Sequence, residues 1–130
     1  MRGHDGVTFV VIRKLIGASL LVELPSSRGA QQVVSGANGC VSGVSLVEPK
    51  LLIKYFNACY EKRIDDALIL QDKVLDIRNI LQRYGPRAIS CYDILNYKGI
   101  DVGTCRLPWR RLSTNNSKNL ISDLNNIIAI

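Results

Sequence analysis

Gly36-Ala-Asn-Gly-Cys-Val-Ser-Gly-Val-Ser45 is the stretch whose reading decides the fold. It carries no charge. Gly36, Gly39 and Gly43 leave room where a bulky side chain would otherwise pack. Val41 and Val44 supply the β-branched groups that suit a pleated, buried position. Glycine inside a strand marks a bulge, a bend, or the close approach of a ligand or a second backbone. The stretch therefore predicts a strand over Asn38 to Ser45. Glu48-Pro49 closes it, and proline fits the first turn of a helix, where its missing N–H costs nothing. A buried strand running into a helix start is half of a β/α unit.

Upstream, Val7-Thr-Phe-Val-Val-Ile12 predicts a second strand, five of its six residues being β-branched. It is apolar on both faces, as in a parallel strand covered on both sides. Gly17 to Leu24 predicts a short helix, stopped by Pro25.

Downstream, Lys50 to Lys62 predicts a helix with Leu52, Phe56 and Cys59 on one face. Arg63 to Tyr84 carries the strongest helical period, its apolar residues Ala67, Leu70, Val74, Ile77 and Leu81 recurring at steps of three and four. Asp65 and Asp66 begin it and Arg83 ends it, in the sense the macrodipole favours. Gly85-Pro86 stops it. Ala88 to Lys98 predicts a further helix, with Ile100 to Leu112 as a loop. A last helix is expected from an N-cap at Ser117, with Leu120, Leu124, Ile127 and Ile128 as its stripe and Asn115 to Asn119 as a polar loop.

The 130 residues suffice for one domain of ordinary size, and 47% hydrophobic against 22% charged residues is a globular balance. The net charge of +6 permits anion or nucleic-acid binding. The basic residues are scattered, however, with acids interleaved from Glu61 to Asp76, which reads as a solvated basic surface. The four cysteines form no Cys-x-x-Cys pair and there is one histidine, His4, so no metal site is expected. No apolar run reaches the ~20 residues that span a bilayer. The first residues lack the form of a signal peptide. A cytoplasmic chain with reduced thiols is the expectation.

Two strands cannot bury both faces of a sheet, and they leave two unpaired edges. The later helices have more apolar face than two strands can cover. The layout therefore predicts a chain that needs a partner or forms part of something larger.

The residues from Gly36 to Pro49 resemble the eighth barrel strand of the dihydrodipicolinate synthase / N-acetylneuraminate lyase family, whose pattern is Gly-Ala-x-Gly-x-Ile/Val-Ser, a few small residues, Asn, then Pro. Ala67-Leu-x-Leu-Gln71 is similar to that family's Ala-x-x-Leu-Gln in the following helix. Gly99 and Arg106-Leu-Pro108 are similar to its Gly…Arg-x-Pro near the C-terminus. The resemblance covers residues 36 to 112.

It implies an α/β fold, the C-terminal portion of a (β/α)₈ barrel of about two strands plus a C-terminal helical extension, mostly helical. Residues 1–84 would be the partial barrel, with strand seven at Val7 to Ile12 and strand eight at Asn38 to Ser45, and residues 85–130 the extension. A whole barrel takes ~250 residues. The resemblance further implies a class I aldolase or lyase acting on 2-keto acids, commonly pyruvate, through a lysine Schiff base on strand six. A tyrosine on strand five shuttles protons, and a Gly-x-Thr/Ser-Thr/Ser segment holds the carboxylate. No position here matches any of the three. The chemistry needs them, because the imine is the electron sink for carbon–carbon cleavage. No cofactor and no catalytic residue are therefore expected in this chain, which reads as inactive alone.

What the resemblance carries over is a pocket wall of substrate-binding positions: Val41 beside the imine, Gly43 against substrate, and Gly17 after strand seven. Leu46 stands where the family has Asn, and Tyr92 or Cys91 where a lysine is common. These departures, with the irregular first 35 residues, point to a truncated, rearranged or frame-shifted gene. Lys14 reads as an exposed strand-end lysine, Cys40 as a small core residue, and Trp109 as a packing anchor for the extension. Expected partners are a 2-keto acid in the parent enzyme and a complementary N-terminal half or a second copy, with no nucleic acid and no membrane. The competing expectation is a basic helical interaction module without catalysis.

Overall fold

A computed structural model describes residues 21–23 and 39–130. Two short strands, β1 (Leu21–Glu23) and β2 (Gly39–Val41), pair in parallel, with Leu21 opposite Gly39 and Glu23 opposite Val41. Five helical segments follow: α1 (Val44–Val47), α2 (Pro49–Tyr60), α3 (Ile64–Arg83), α4 (Arg87–Tyr97) and α5 (Thr114–Asn125). The fold is thus mostly helical, with a parallel β/α element at its start, as expected of the end of a barrel and its extension.

Two expectations are corrected in this region. Leu21–Glu23 is strand where a helix was expected. Three apolar residues carry no period of their own, so pairing with β2 decides their conformation. The strand β2 also stops at Val41, well short of Ser45. The Ser42 hydroxyl accepts from the Val44 amide at 3.3 Å, and the Ser45 hydroxyl donates to the Ser42 carbonyl. These local bonds turn the chain into α1. They bring Val44 and Val47 into the core at 2% and 0% exposure. The predicted strand Val7 to Ile12 lies outside the described residues.

α2 starts at Pro49, as the sequence demands, and buries Leu51, Leu52, Tyr55, Ala58 and Cys59. It ends in a Schellman motif: the Lys62 amide donates to Cys59 O at 3.2 Å and the Arg63 amide to Ala58 O at 2.9 Å. Lys62 holds the left-handed position at φ 58°, which glycine would hold without a steric penalty.

α3 shows the face its period predicts. Ala67, Val74, Ile77 and Leu81 are buried, and Leu70 packs partly buried against the same core. Gln71 accepts from the Tyr55 hydroxyl at 3.0 Å, tying α3 to α2. Gly85 ends α3 at φ 143°, and α4 follows from Pro86.

Ser90, fully buried on α4, donates to Leu81 O at 2.9 Å and so joins α4 to α3 without leaving an orphan polar group. The N-cap of α5 lies four residues before the expected one. Ser113, not Ser117, is the N-cap, its hydroxyl accepting from the Asn116 amide at 3.2 Å. Asn115 to Asn119 is helix rather than loop. Leu120 and Leu124 carry it onto the core, both at 0% exposure. Asp123 accepts from Arg83 Nη1 at 2.6 Å and from the Tyr84 hydroxyl at 2.7 Å. Trp109 is 53% exposed and so is not the buried anchor the sequence predicts. Among the described residues no helix is long and apolar enough to cross a membrane, and no His/Cys/Asp/Glu group is placed to hold a metal.

Candidate functional site

In a parallel pair both strands end on the same side, and in barrel folds that side is where ligands are held. Glu23 and Val41 mark that end here. Of the expected wall residues, Val41 closes β2 at this end. Gly43 follows two residues later and begins the turn into α1, with φ −62° and ψ −25°. Gly17 lies outside the described residues. It precedes β1 in the sequence, so the strand it was expected to follow is not β1.

Gly43 opens onto a cavity of about 450 Å³ between α1 and α4. Cys91 and Gly43 meet at its inner end. The Cys91 thiol, 3% exposed, donates to the Gly43 carbonyl at 3.6 Å. A methyl group added at Gly43 would meet that sulfur at 4.0 Å, in ordinary contact. Burial raises the Cys91 pKa, and the nearby positive charge of Arg87 offsets this only in part, so the group is a neutral thiol. It is neither a nucleophile nor a metal ligand in this state. Leu46, Ala88, Leu95 and Val102 supply carbon to the walls, while Arg87 and Tyr92 bring the cavity's guanidinium and phenol.

Leu46, Cys91 and Tyr92 are the positions where the sequence departs from the pattern it resembles, and the fold brings them together here. Arg87 is the site residue that sequence reasoning missed. Its signal is spacing: Arg87, Cys91 and Leu95 recur every four residues and so share one face of α4. That signal becomes readable only once α4 is known to begin at Arg87. Lys98, one residue past α4, donates to the carbonyl of Val47, which pins the far end of α4 to α1. The cavity walls are therefore held at both ends.

No protein-family model matches the chain. Two curated relatives, both described as an uncharacterized DapA-like lyase, come from two strains of Halobacterium salinarum. Each is 33% identical over 89 residues, covering 68% of this chain and 29% of the relative. Among solved structures, the N-acetylneuraminate lyase of Fusobacterium nucleatum superposes with a TM-score of 0.84 at 19% identity, over 98% of this chain and 43% of its own. A 2-keto-3-deoxygluconate aldolase variant of Sulfolobus solfataricus gives 0.82 at 21% identity, over 96% and 43%. The chain thus spans less than a third of the curated relatives it matches and under half of these solved structures.

Proposed function

Since this chain belongs to the dihydrodipicolinate synthase / N-acetylneuraminate lyase family, as a C-terminal part of its barrel, we propose that it carries one wall of a lyase that cleaves or joins 2-keto acids through a Schiff base, and that it does not catalyse alone. One observation carries the reading. The parallel β1–β2 pair ends at Val41, and Gly43, two residues on, lines an open cavity, on a chain that covers 43% of an N-acetylneuraminate lyase. The Fusobacterium nucleatum N-acetylneuraminate lyase was also solved in complex with pyruvate, which supports a 2-keto acid as the substrate class. In this reading residues 1–84 are the barrel part and 85–130 the extension.

The division of labour follows from the chemistry. Carbon–carbon cleavage next to a keto group needs an electron sink, which a lysine imine supplies once the amine is desolvated. Val41 and Gly43 give shape to the wall and leave room beside the reacting carbon, but neither can form an imine. The imine lysine, the proton-shuttling tyrosine and the carboxylate-binding hydroxyls come from the complementary part of the barrel.

The test is borohydride reduction in the presence of pyruvate. The chain alone should gain no adduct mass on any lysine. Mixed or co-expressed with a complementary N-terminal part of a relative's barrel, the sample should gain one pyruvyl adduct on that part's lysine, together with aldol cleavage. An adduct on the chain alone, or none in the mixture, would sink the proposal.

A further inference from the structure

Three cavities can be compared by how their cations are committed. The groove of about 450 Å³ between α2 and α3 contains Arg63, but that guanidinium is already paired with Glu61 and Asp66. The groove of about 530 Å³ between α4 and α5 mixes Arg111 and Lys118 with Asp93, and its walls divide nearly evenly between polar and apolar surface. The cavity at Gly43 differs from both. Among the described residues no carboxylate lines it, and the Arg87 side chain makes no ion pair or hydrogen bond with any of them. The Tyr92 phenol, 36% exposed, stands one residue past Cys91 on the same helix. The other lining groups are the thiol of Cys91, the open edge at Gly43, and the carbon of Leu46, Ala88, Leu95 and Val102.

We infer that this cavity is a binding site for a small carboxylate with an aliphatic body, its head on the Arg87 guanidinium and its chain against Leu46 and Leu95. A volume of about 450 Å³ falls in the ~300–1,000 Å³ range of small-molecule sites. The arrangement also follows the pattern of such sites, with mostly apolar walls and a few polar groups that fix orientation. An unpaired guanidinium selects an anion and favours a planar one, because its fork of N–H groups matches a carboxylate. A neutral thiol at the inner end favours carbon over a second charge. The inference does not depend on the lyase reading, since it requires no imine and no second barrel part.

The experiment is a titration of the 130-residue chain, followed by ¹⁵N amide shifts, with three probes: hexanoate, hexan-1-ol and acetate. Hexanoate should give saturable shifts concentrated at Gly43, Cys91 and Val102. Hexan-1-ol should shift the same amides with about tenfold weaker affinity, the loss expected for one charge-assisted contact. Acetate should not saturate. Arg87→Gln should weaken hexanoate about tenfold and leave hexan-1-ol unchanged. Ala88→Phe, at an exposed helix position, should fill the cavity and abolish both, and the amide dispersion of each variant reports that it folds. Absence of saturable hexanoate shifts, or unchanged hexanoate affinity in Arg87→Gln, would overturn the inference. So would shifts at these amides that depend on protein concentration and that hexanoate does not displace, because a second copy would then be the occupant.

Discussion

Leu120→Ala tests whether the extension is one folded body with α2 and α3. Leu120 lies at 0% exposure where α5 packs on α3 and α4. The truncation removes about three methylene equivalents, or about 2.4 kcal/mol of transfer free energy. The cavity left behind adds to this, since α5 is also held by Leu124 and cannot fully collapse into the gap, giving about 3 kcal/mol in all. Against a domain stability of about 5–15 kcal/mol, that is a large share. At about 4–8 °C per kcal/mol for a body of this size, the melting temperature should fall by about 15 °C. Urea unfolding followed by circular dichroism measures the loss, with Asn119→Ala as the exposed neighbour expected to stay within about 0.5 kcal/mol of the parent. If Leu120→Ala unfolds within about 0.5 kcal/mol of the parent at unchanged slope, α5 is not docked and the packing argument fails. A reduced slope with a smaller loss would instead show α5 undocking by itself, because a 12-residue helix is marginal without its packing.

Two further outcomes follow from single residues. Lys62→Gly should raise stability by about 1 kcal/mol in the same urea assay, because Lys62 holds φ 58° at the end of α2 and glycine holds it without the Cβ clash; a loss would mean the lysine makes a compensating contact. The Tyr84 hydroxyl is held protonated chiefly by its hydrogen bond to Asp123, so its pKa is raised in the folded state. That contribution is complete below the unfolded tyrosine value of about 10 and is lost as pH rises through the folded one. The drop in melting temperature above that pH should shrink in Tyr84→Phe, and an identical profile in the two proteins would refute the assignment.

Legibility in the sequence tracked the strength of the local signal. α3 was readable because five apolar positions repeat at one period and Gly85-Pro86 ends it, and all five meet the core. Pro49 fixed the start of α2 in the same way. α5 was misread at its start because Asn115 to Asn119 has poor helical propensity. The Ser113 cap and the burial of Leu120 and Leu124 outweigh that preference. Val44 looked like strand because it is β-branched, yet the serine hydroxyls at 42 and 45 fold it into α1. Leu21–Glu23 had no period to read, and its conformation comes from a neighbour distant in sequence. Of the candidate site, Gly43 and the departures at Leu46, Cys91 and Tyr92 were visible individually. Their convergence with Arg87 was not, because it depends on α4 packing against α1, a tertiary contact that no local window contains.

The distribution of packing bears on what a complement would have to supply under the lyase reading. The described core runs from Val44 on α1 to Leu124 on α5, and its buried side chains come from helices. β1 and β2 contribute three residues each, and among the described residues they form a two-stranded sheet. Such a pair is marginal in water without further strands or packing on a helix. Val41 sits on this short pair, while Gly43 is tied through its carbonyl to Cys91 in the helical core. A reacting group must be placed to within about 0.5 Å, and a wall can do that only when its strand is locked by neighbours. Under the lyase reading, supplying a lysine alone would therefore not restore catalysis. Under that reading the complement would also have to support β2, acting as a structural template as well as the source of the imine. Gly43 and the cavity beside it need no such template, because α1 and α4 already hold them. That separates the binding proposed for the chain itself from the catalysis proposed for a whole barrel.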